Sequence, residues 1–542
     1  MLLLMLLATP MAEAVIVAFD AGGFMQQVEA SSAQKLDLDW PAIQRLYESR
    51  AGRSIWHGDK ALNERGRRLL AWLAASETQG LNPADYHVNH LRQLLDPVLS
   101  EDHTLRELLL SDGYLRLAVD LRQGNKAARA LDPFGQLDAE TFDPVSMLIE
   151  ALAQDNLNEM LRGLSPARAE YDRLRQALAH YRSIEQAGGW SKLESDDSLR
   201  PGQRSPLIAR LRMRLALEAG RPAVWSDDPR LFDPELQAEL QRYQSRHGLQ
   251  ADGVVGPATL LALNVPVSRR VAQLRANLER WRWLPHELEE EHLLVNTAGF
   301  EITFHSNAQV IFFGRTVNGT KKRPTPSLIS AITHLVANPE WTVPRRIAVE
   351  DMLPQQQADP TYLLSKKIRV YQQVGLAWEE LDPTTIDWSP YHWNYFPFVF
   401  KQDAGAGNSL GRIKFHMPNS RAIYLHDTPA VGLFRRSDRA FSSGCVRVEG
   451  ADRLARLLIT RADPWEALRF NRAMRSGETL IIPLSQPVPV YLTYFTSWVD
   501  AAGEVHFRPD IYRRDTRLIL ALARENSPVT ARLEDDPLPA SL

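Results

Sequence analysis

The sequence predicts a multidomain α+β protein with a mainly-β, sandwich-like domain in its C-terminal half. Its length of 542 residues suits three or four domains of about 150 residues each. Apolar residues recur at helical spacing as far as about residue 286, and they alternate at strand spacing beyond it. The change of period divides the chain into a helical part and a strand-rich part.

The composition excludes several functional classes. Hydrophobic residues make up 44% and charged residues 24% of the chain, which suits ordinary globular cores. The formal charge of −3 gives no basic excess, so we expect no nucleic-acid partner. No stretch beyond the N-terminus reaches about 18 uninterrupted apolar residues, so we expect no membrane span in the mature chain.

The N-terminus predicts export. Met1–Leu7 is apolar, and Ala12-Glu13-Ala14 is a small-x-small cleavage signal, so residues 1–14 are interpreted as a signal peptide. Export gives meaning to Cys445, which is the only cysteine in the sequence. An unpaired thiol is a liability in an oxidising compartment, so its retention indicates a use.

Three helical units are expected before the strands begin. Residues 30–200 form a helical scaffold domain. Residues 203–266 form a three-helix unit, since Ser205-Pro206 and Asp233-Pro234 each supply an N-cap followed by an N1 proline. Residues 267–286 form a linking helix.

The strand-rich part is expected at residues 287–485 and begins with a hairpin over 292–317. Residues 345–400 interrupt the strand pattern, and we interpret them as an inserted cap lying over a cleft. Residues 486–542 follow as a C-terminal strand, a helix and a tail.

A catalytic constellation is predicted where Tyr424 and His426 alternate with apolar residues, and where Cys445 and Arg447 alternate with Val446. Two neighbouring strands would place imidazole, phenol, thiol and guanidinium on one open face. A cysteine nucleophile needs a base, and His426 is the candidate. Gly444 lacks a Cβ, so backbone N–H groups there can approach a substrate oxygen.

The three-helix unit resembles the peptidoglycan-binding domain. The matching residues are Tyr243-Gln244, His247-Gly248-Leu249, Asp252-Gly253, and Gly256 with Thr259. The resemblance implies attachment to cell-wall glycan.

The strand-rich part resembles the YkuD-type L,D-transpeptidase catalytic domain. The motifs are His426-x-Thr428-Pro429, Ser443-Gly444-Cys445-Val446-Arg447, Arg323-Pro324-Thr325-Pro326 and Asn338-Pro339-x-Trp341-x-Val343-Pro344. With the scaffold, the wall-binding unit and the cap, the chain is similar to the large Gram-negative L,D-transpeptidases of the YcbB/LdtD type.

The resemblance implies a role for each motif residue. Cys445 would be the nucleophile and His426 the base, oriented by the backbone carbonyl of Asp427. The oxyanion would be held by the N–H groups of Gly444 and Cys445 and by the Tyr424 hydroxyl. Arg447, Ser443 and Trp341 would contact substrate.

The resemblance also implies the reaction. Cys445 would attack the bond between diaminopimelate and D-Ala of a donor tetrapeptide stem. The resulting thioester would pass to the amine of an acceptor stem, giving a 3→3 cross-link. The partners would be peptidoglycan stem peptides and glycan, with cell-wall synthesis proteins as further candidates. No cofactor or metal is expected, the compartment would be the periplasm, and carbapenems would acylate the enzyme.

Other interpretations remain. Water as acceptor would make the protein an L,D-carboxypeptidase. A papain-like or NlpC-like hydrolase usually has its cysteine before its histidine, the reverse of the order here. A metallopeptidase using His416, His426 and Asp427 fits no common zinc spacing. A non-enzymatic wall-binding scaffold predicts an unreactive Cys445.

Overall fold

A computed structural model describes residues 36–58, 61–95, 102–132, 135–136, 141–462 and 464–522. The predicted signal peptide and the last residues of the predicted tail lie outside this part of the chain. Within it, no helix has the length and apolar character needed to cross a membrane.

Helices occupy the first half of the chain. They are α1 (Trp40–Glu48), α2 (Glu64–Ala74), α3 (Val88–Leu94), α4 (His103–Gln123), α5 (Lys126–Ala130), α6 (Pro144–Ala153), α7 (Leu157–Gly163), α8 (Ala169–Gln186), α9 (Pro206–Ala219), α10 (Pro234–Arg246), α11 (Pro257–Leu263) and α12 (Val267–Arg282), with 3-10 turns at Ala75–Gln79 and Pro83–Tyr86.

The N-terminal helices enclose one apolar core around α4. The core also buries a carboxylate, Glu107, which is 1% exposed. The hydroxyl of Tyr47 donates to it at 2.8 Å and the N–H of Ile55 at 2.5 Å, and the His57 ring lies 2.7 Å away. A buried carboxylate is tolerated only with partners of this kind, so Glu107 ties α1 and the following loop to α4.

Helices α9, α10 and α11 form a small unit with its own core. The expected caps are present: Ser205 accepts from the N–H of Leu207, and Asp233 accepts from the N–H of Leu236 at 2.9 Å. Gln244 joins α10 to the following turn, because its side chain donates to Asp252 and accepts from the N–H of Gly253, both at 2.9 Å. The motif residues Gln244, Asp252 and Gly253 therefore stabilise the turn that follows α10.

Strands dominate the second half of the chain, and only β1 of those described lies in the first half. They are β1 (Gly135–Gln136), β2 (His292–Asn296), β3 (Glu301–Ser306), β4 (Gln309–Gly319), β5 (Ser327–Ala337), β6 (Trp341–Thr342), β7 (Ile368–Val374), β8 (Ala377–Leu381), β9 (Phe398–Gln402), β10 (Ile413–His416), β11 (Leu425–His426), β12 (Ala440–Ser442), β13 (Val446–Val448), β14 (Leu480–Thr493), β15 (Ser497–Val499) and β16 (Val505–Phe507). The helical elements among and after them are α13 (Arg345–Ile347), a π-helical turn (Ala348–Met352), α14 (Leu353–Ala358), α15 (Tyr362–Ser365), a 3-10 turn (Val431–Arg435), α16 (Ala451–Ala462), α17 (Pro464–Ser476) and α18 (Arg514–Leu522).

Eight strands pair in a closed circuit in the order β5-β10-β11-β13-β4-β3-β2-β14, and β14 pairs back onto β5. The sequence predicted a sandwich-like arrangement, whereas these pairings describe one continuous ring. The long strands β5 and β14 close the ring, because residues 334–337 of β5 pair with β10 on one edge while β14 pairs along the other edge of β5. β14 also crosses the domain boundary that the sequence analysis placed between residues 485 and 486.

The insertion, residues 345–400, carries a second sheet. Its strands follow the order β6-β9-β7-β8, starting just before the insertion and ending just after it. Aromatic residues including Trp388, Phe396 and Phe400 fill a core that this region does not share with the ring. The insertion is therefore a folded layer rather than an extended loop.

The linking helix α12 lies between the two halves of the chain. It packs on α8, on the aromatic residues after β14 and on α18. It also carries buried charges: Arg282 lies 2.8 Å from Glu279, and Arg280 lies 2.5 Å from Asp515. These fully buried pairs fix the helix in one position because each charge has a specific partner.

We expect Arg282→Met to destabilise the protein by about 3–5 kcal/mol, because it leaves the buried Glu279 carboxylate without its cation. The measurement is the free energy of unfolding in denaturant. Arg68→Met is the control: it removes an exposed pair with Glu64 and is expected to cost at most about 1 kcal/mol. Equal effects of the two substitutions would contradict this account of α12.

Candidate active site

Three short strands of the ring set the orientation of the predicted catalytic residues. Lys414 of β10 is in register with His426 of β11, and His426 is in register with Arg447 of β13. The neighbouring row, Phe415, Leu425 and Val446, is fully buried in the ring core. Since successive side chains point to opposite faces of a strand, Lys414, His426 and Arg447 share the opposite face.

Cys445 immediately precedes β13 and is half-buried. Its Sγ lies 3.8 Å from the carbonyl oxygen of Ala422, to which the thiol donates, and it also contacts the Tyr424 hydroxyl. Burial raises the pKa of the thiol above its ordinary value, while Tyr424, Lys414 and Arg447 act in the lowering direction. The resting cysteine is therefore a neutral thiol at neutral pH.

His426 is buried, and its Nδ1 lies 2.6 Å from the carbonyl oxygen of Asp427. A carbonyl only accepts, so Nδ1 carries the proton in the neutral ring. This is the contact that the sequence motif predicts. Burial first, and then the positive charge of Arg447, lower the pKa of His426 to about 3, so the imidazole is uncharged at neutral pH.

Cys445 and His426 are diagonal neighbours on one face rather than a hydrogen-bonded pair. Among the described residues, neither side chain donates to the other. The preformed thiolate–imidazolium pair that a cysteine nucleophile often uses is absent from this part of the chain.

Gly444 has a structural role that differs from the predicted one. Its φ of 118° disfavours any side chain. However, its N–H donates to the Ser442 hydroxyl at 3.1 Å, and its carbonyl accepts from Thr325 at 2.8 Å. In this conformation the Gly444 N–H is therefore engaged with Ser442, and its place in an oxyanion site stays a prediction.

The remaining oxyanion donors are the backbone of Cys445 and the hydroxyl of Tyr424. The N–H of Cys445 has no hydrogen-bond partner within the described chain. Burial raises the pKa of Tyr424, and the neighbouring Cys445 raises it further, so the phenol keeps its proton. Both groups lie beside Sγ, where an oxyanion would form.

Trp341 belongs to the apolar cluster on which Tyr424 packs. It is 8% exposed and belongs to the core of the insertion. Its Nε1 has no hydrogen-bond partner among the described residues, and Trp341 acts to lower the pKa of Tyr424. Its predicted contact with substrate stays a prediction.

Ser443 is held by Arg323, a motif residue for which the sequence analysis predicted no role. Arg323 donates from Nη1 to the Ser443 hydroxyl at 2.9 Å and from Nη2 to Glu350 at 2.6 Å, and it pairs with Asp351. Glu350 and Asp351 lie in the π-helical turn of the insertion. One guanidinium thus joins the insertion to the cysteine loop, and the Ser443 hydroxyl is engaged rather than free for substrate.

Two cations on the shared face have no acidic partner in the part of the chain that the structure describes. Arg447 is half-buried, and its Nε is buried without a hydrogen-bond partner there. Lys414 is also half-buried, and its Nζ lies 4.4 Å from the ring centroid of Tyr424. The sequence analysis named Arg447 but missed Lys414, although Lys414 alternates with Ile413 and Phe415. No cluster of three or more potential ligands for a metal ion occurs in the described ranges.

We expect the alkylation of Cys445 by iodoacetamide to accelerate about tenfold per pH unit between pH 6 and pH 8. The reactive form is the thiolate, and the raised pKa of the thiol keeps its fraction small and rising throughout this range. Intact-mass time courses measure the rate. A rate that is already constant below pH 7 would instead indicate a preformed thiolate.

We expect Arg323→Gln to loosen the insertion and the cysteine loop together, because glutamine cannot reach both carboxylates and Ser443. Hydrogen exchange of backbone amides in residues 345–358 and 440–446 should accelerate in both segments. Arg346→Gln is the matched control, since Arg346 pairs with Glu350 at 3.1 Å without contacting Ser443. Unchanged exchange at 440–446 in Arg323→Gln would contradict the coupling.

Comparisons with known proteins match three parts of the chain. Residues 290–466 match the family model of the L,D-transpeptidase catalytic domain. Residues 41–178 match the model of a Scaffold domain, and residues 225–263 match that of a "Putative peptidoglycan binding domain".

A curated relative from Haemophilus influenzae, described as a "Putative L,D-transpeptidase", is 37% identical over 264 residues. The match covers 48% of this chain and 52% of the relative. The chain therefore spans about half the length of the curated relative it matches.

Two solved structures are also similar. An L,D-transpeptidase from Xylanimonas cellulosilytica is 13% identical and covers 55% of this chain and 98% of its own, with a TM-score of 0.18. The Ldtfm–avibactam carbamoyl enzyme is 8% identical and covers 50% of this chain and 84% of its own, also with a TM-score of 0.18. Residues 290–466, which carry the predicted motifs, are thus similar to the L,D-transpeptidase catalytic domain, and residues 225–263 are similar to a peptidoglycan-binding domain.

Proposed function

We propose that this protein is a peptidoglycan L,D-transpeptidase whose nucleophile is Cys445. The observation that carries the proposal is the position of its Sγ, which contacts the Tyr424 hydroxyl on the face that also presents His426. Acyl transfer through a thiol needs a base, a group that stabilises the oxyanion, and access for the substrate. His426 is the candidate base, and Tyr424 is a candidate donor to the oxyanion.

In the first step, Sγ turns towards His426 and attacks the carbonyl carbon between diaminopimelate and D-Ala. The thiol proton passes to the free nitrogen of His426, Nε2, while Nδ1–H stays on the Asp427 carbonyl. This general-base route suits the two neutral groups, because no ion pair has to exist beforehand. The Cys445 N–H and the Tyr424 hydroxyl would hold the oxyanion.

Collapse of the intermediate breaks the C–N bond, and His426 returns its proton to the amine of the departing D-Ala. The thioester is then attacked by the side-chain amine of diaminopimelate on a second stem. A new C–N bond forms, the C–S bond breaks, and the proton lost by the amine returns to sulfur. The product is a 3→3 cross-link.

Two alternatives predict different products from the same chain. Water in place of the amine would make the protein an L,D-carboxypeptidase. A non-enzymatic wall-binding scaffold would leave Cys445 unmodified by any donor. The insertion tied to the cysteine loop by Arg323 favours the transferase, because a layer near the thioester would limit its exposure to water.

The cellular setting forms part of the same proposal. The compartment is the periplasm, the partners are stem peptides and glycan, and residues 203–266 are the proposed glycan-binding unit. Cell-wall synthesis proteins are further proposed partners, carbapenems are proposed acylating agents, and membership of the YcbB/LdtD-type subgroup stays a prediction.

We expect Cys445→Ala to abolish 3→3 cross-linked muropeptides made from tetrapeptide donors while leaving the fold intact. The reason is that no other cysteine exists to form the thioester. Chromatography and mass spectrometry of the muropeptides measure the products, and circular dichroism reports the fold. Ser365→Ala, which removes an exposed hydroxyl of the insertion, should retain wild-type activity. Continued cross-linking by Cys445→Ala would exclude Cys445 as the nucleophile.

A further inference from the structure

Lys414 and Arg447 are cations without an anion. Their positions follow from register, because both flank His426 on adjacent strands. Neither forms an ion pair with a carboxylate of the described chain, and Cys445 is the single group that raises the pKa of either side chain. Each is half-buried, so each is a charge partly withdrawn from water that lacks an anionic partner in the described chain.

The position of Lys414 is defined by Tyr424. Its ammonium lies 4.4 Å from the centroid of the ring whose hydroxyl contacts Sγ. Burial lowers the pKa of Lys414. On the other side of His426, the Nε of Arg447 is buried and has no hydrogen-bond partner among the described residues. Both cations interact electrostatically with Cys445 and act to lower the pKa of its thiol.

The substrates of the proposed reaction carry an anion at a matching place. The D-Ala that leaves bears its carboxylate on the carbon bonded to the scissile nitrogen. The diaminopimelate amine that attacks likewise sits on a carbon that bears a carboxylate. In both half-reactions, the nitrogen at the acyl carbon thus belongs to an α-amino carboxylate.

We propose that Lys414 and Arg447 together form one carboxylate-binding site for the α-amino carboxylate that leaves in acylation and for the one that attacks in transfer. This inference rests on the proposed function and names the ligand class of the same site. One site can serve both steps because transfer is acylation run in reverse with a different amine. The site would also favour an amino-acid amine over water.

The test compares two donors in wild-type enzyme and variants. One tetrapeptide donor ends in D-Ala with a free carboxylate, and the other ends in D-alaninamide. Single-turnover formation of the Cys445 thioester is followed by intact mass. The wild type should form the thioester roughly 10- to 100-fold faster with the carboxylate donor than with the amide donor, or reach the same rate at a correspondingly lower donor concentration. This is the difference expected for a charge-assisted contact.

Lys414→Met should lose most of this preference by slowing on the carboxylate donor alone, while Lys414→Arg should keep it. Arg447→Gln should also reduce it. Lys401→Met is the matched control, because Lys401 lies over another tyrosine ring, that of Tyr371, at 5.1 Å in the insertion sheet. Acceptors provide an independent readout: D-methionine should outcompete D-methioninamide for the thioester in the wild type but not in Lys414→Met.

Three results would overturn the inference. The wild type could show no preference between the donors, Lys414→Met could keep the full preference, or Lys414→Met could slow equally on both donors, as a merely structural residue would. Failure of the wild type to form a thioester with either donor would instead refute the proposed function, on which the inference depends.

Discussion

The active-site face depends on the alignment of three very short strands. β11 has two residues, yet it pairs with β10 on one side and with β13 on the other. Burial of Phe415, Leu425 and Val446 in the ring core fixes the register of all three. A slip of one residue would turn the polar row into the core, so the same apolar contacts that stabilise the ring determine which side chains meet beside Cys445.

The electrostatics of the face follow from this burial. Desolvation favours the neutral forms of both Cys445 and His426, and the cations nearby disfavour an imidazolium. A neutral thiol is less reactive but also less prone to oxidation than a standing thiolate. The site therefore suits a cysteine that loses its proton only when substrate and base are in place. Lys414 and Arg447 would then stabilise negative charge either on sulfur or on a bound carboxylate.

Sequence reasoning predicted what depends on local alternation. The shared face of Tyr424, His426 and Arg447 follows from period-two patterning, and the Asp427 carbonyl follows from the motif. Contacts between distant segments were not predicted, because nothing in the local pattern specifies them. Arg323 reaches Ser443 across 120 residues, and Thr325 reaches Gly444 across 119. The bond from Gly444 to Ser442 was also missed, since it depends on a side-chain rotamer. The closed ring was not predicted, because the local pattern does not specify that β5 pairs with β10 on one edge and with β14 on the other.

The central claim is that the acyl group of the donor stem passes through the sulfur of Cys445. The most direct measurement is tandem mass spectrometry of peptides from the wild-type protein, quenched in acid during turnover with a tetrapeptide donor. We predict the donor acyl group, without its D-Ala, attached to Cys445. An adduct on another residue, or turnover products formed with Cys445 unmodified throughout, would contradict the account.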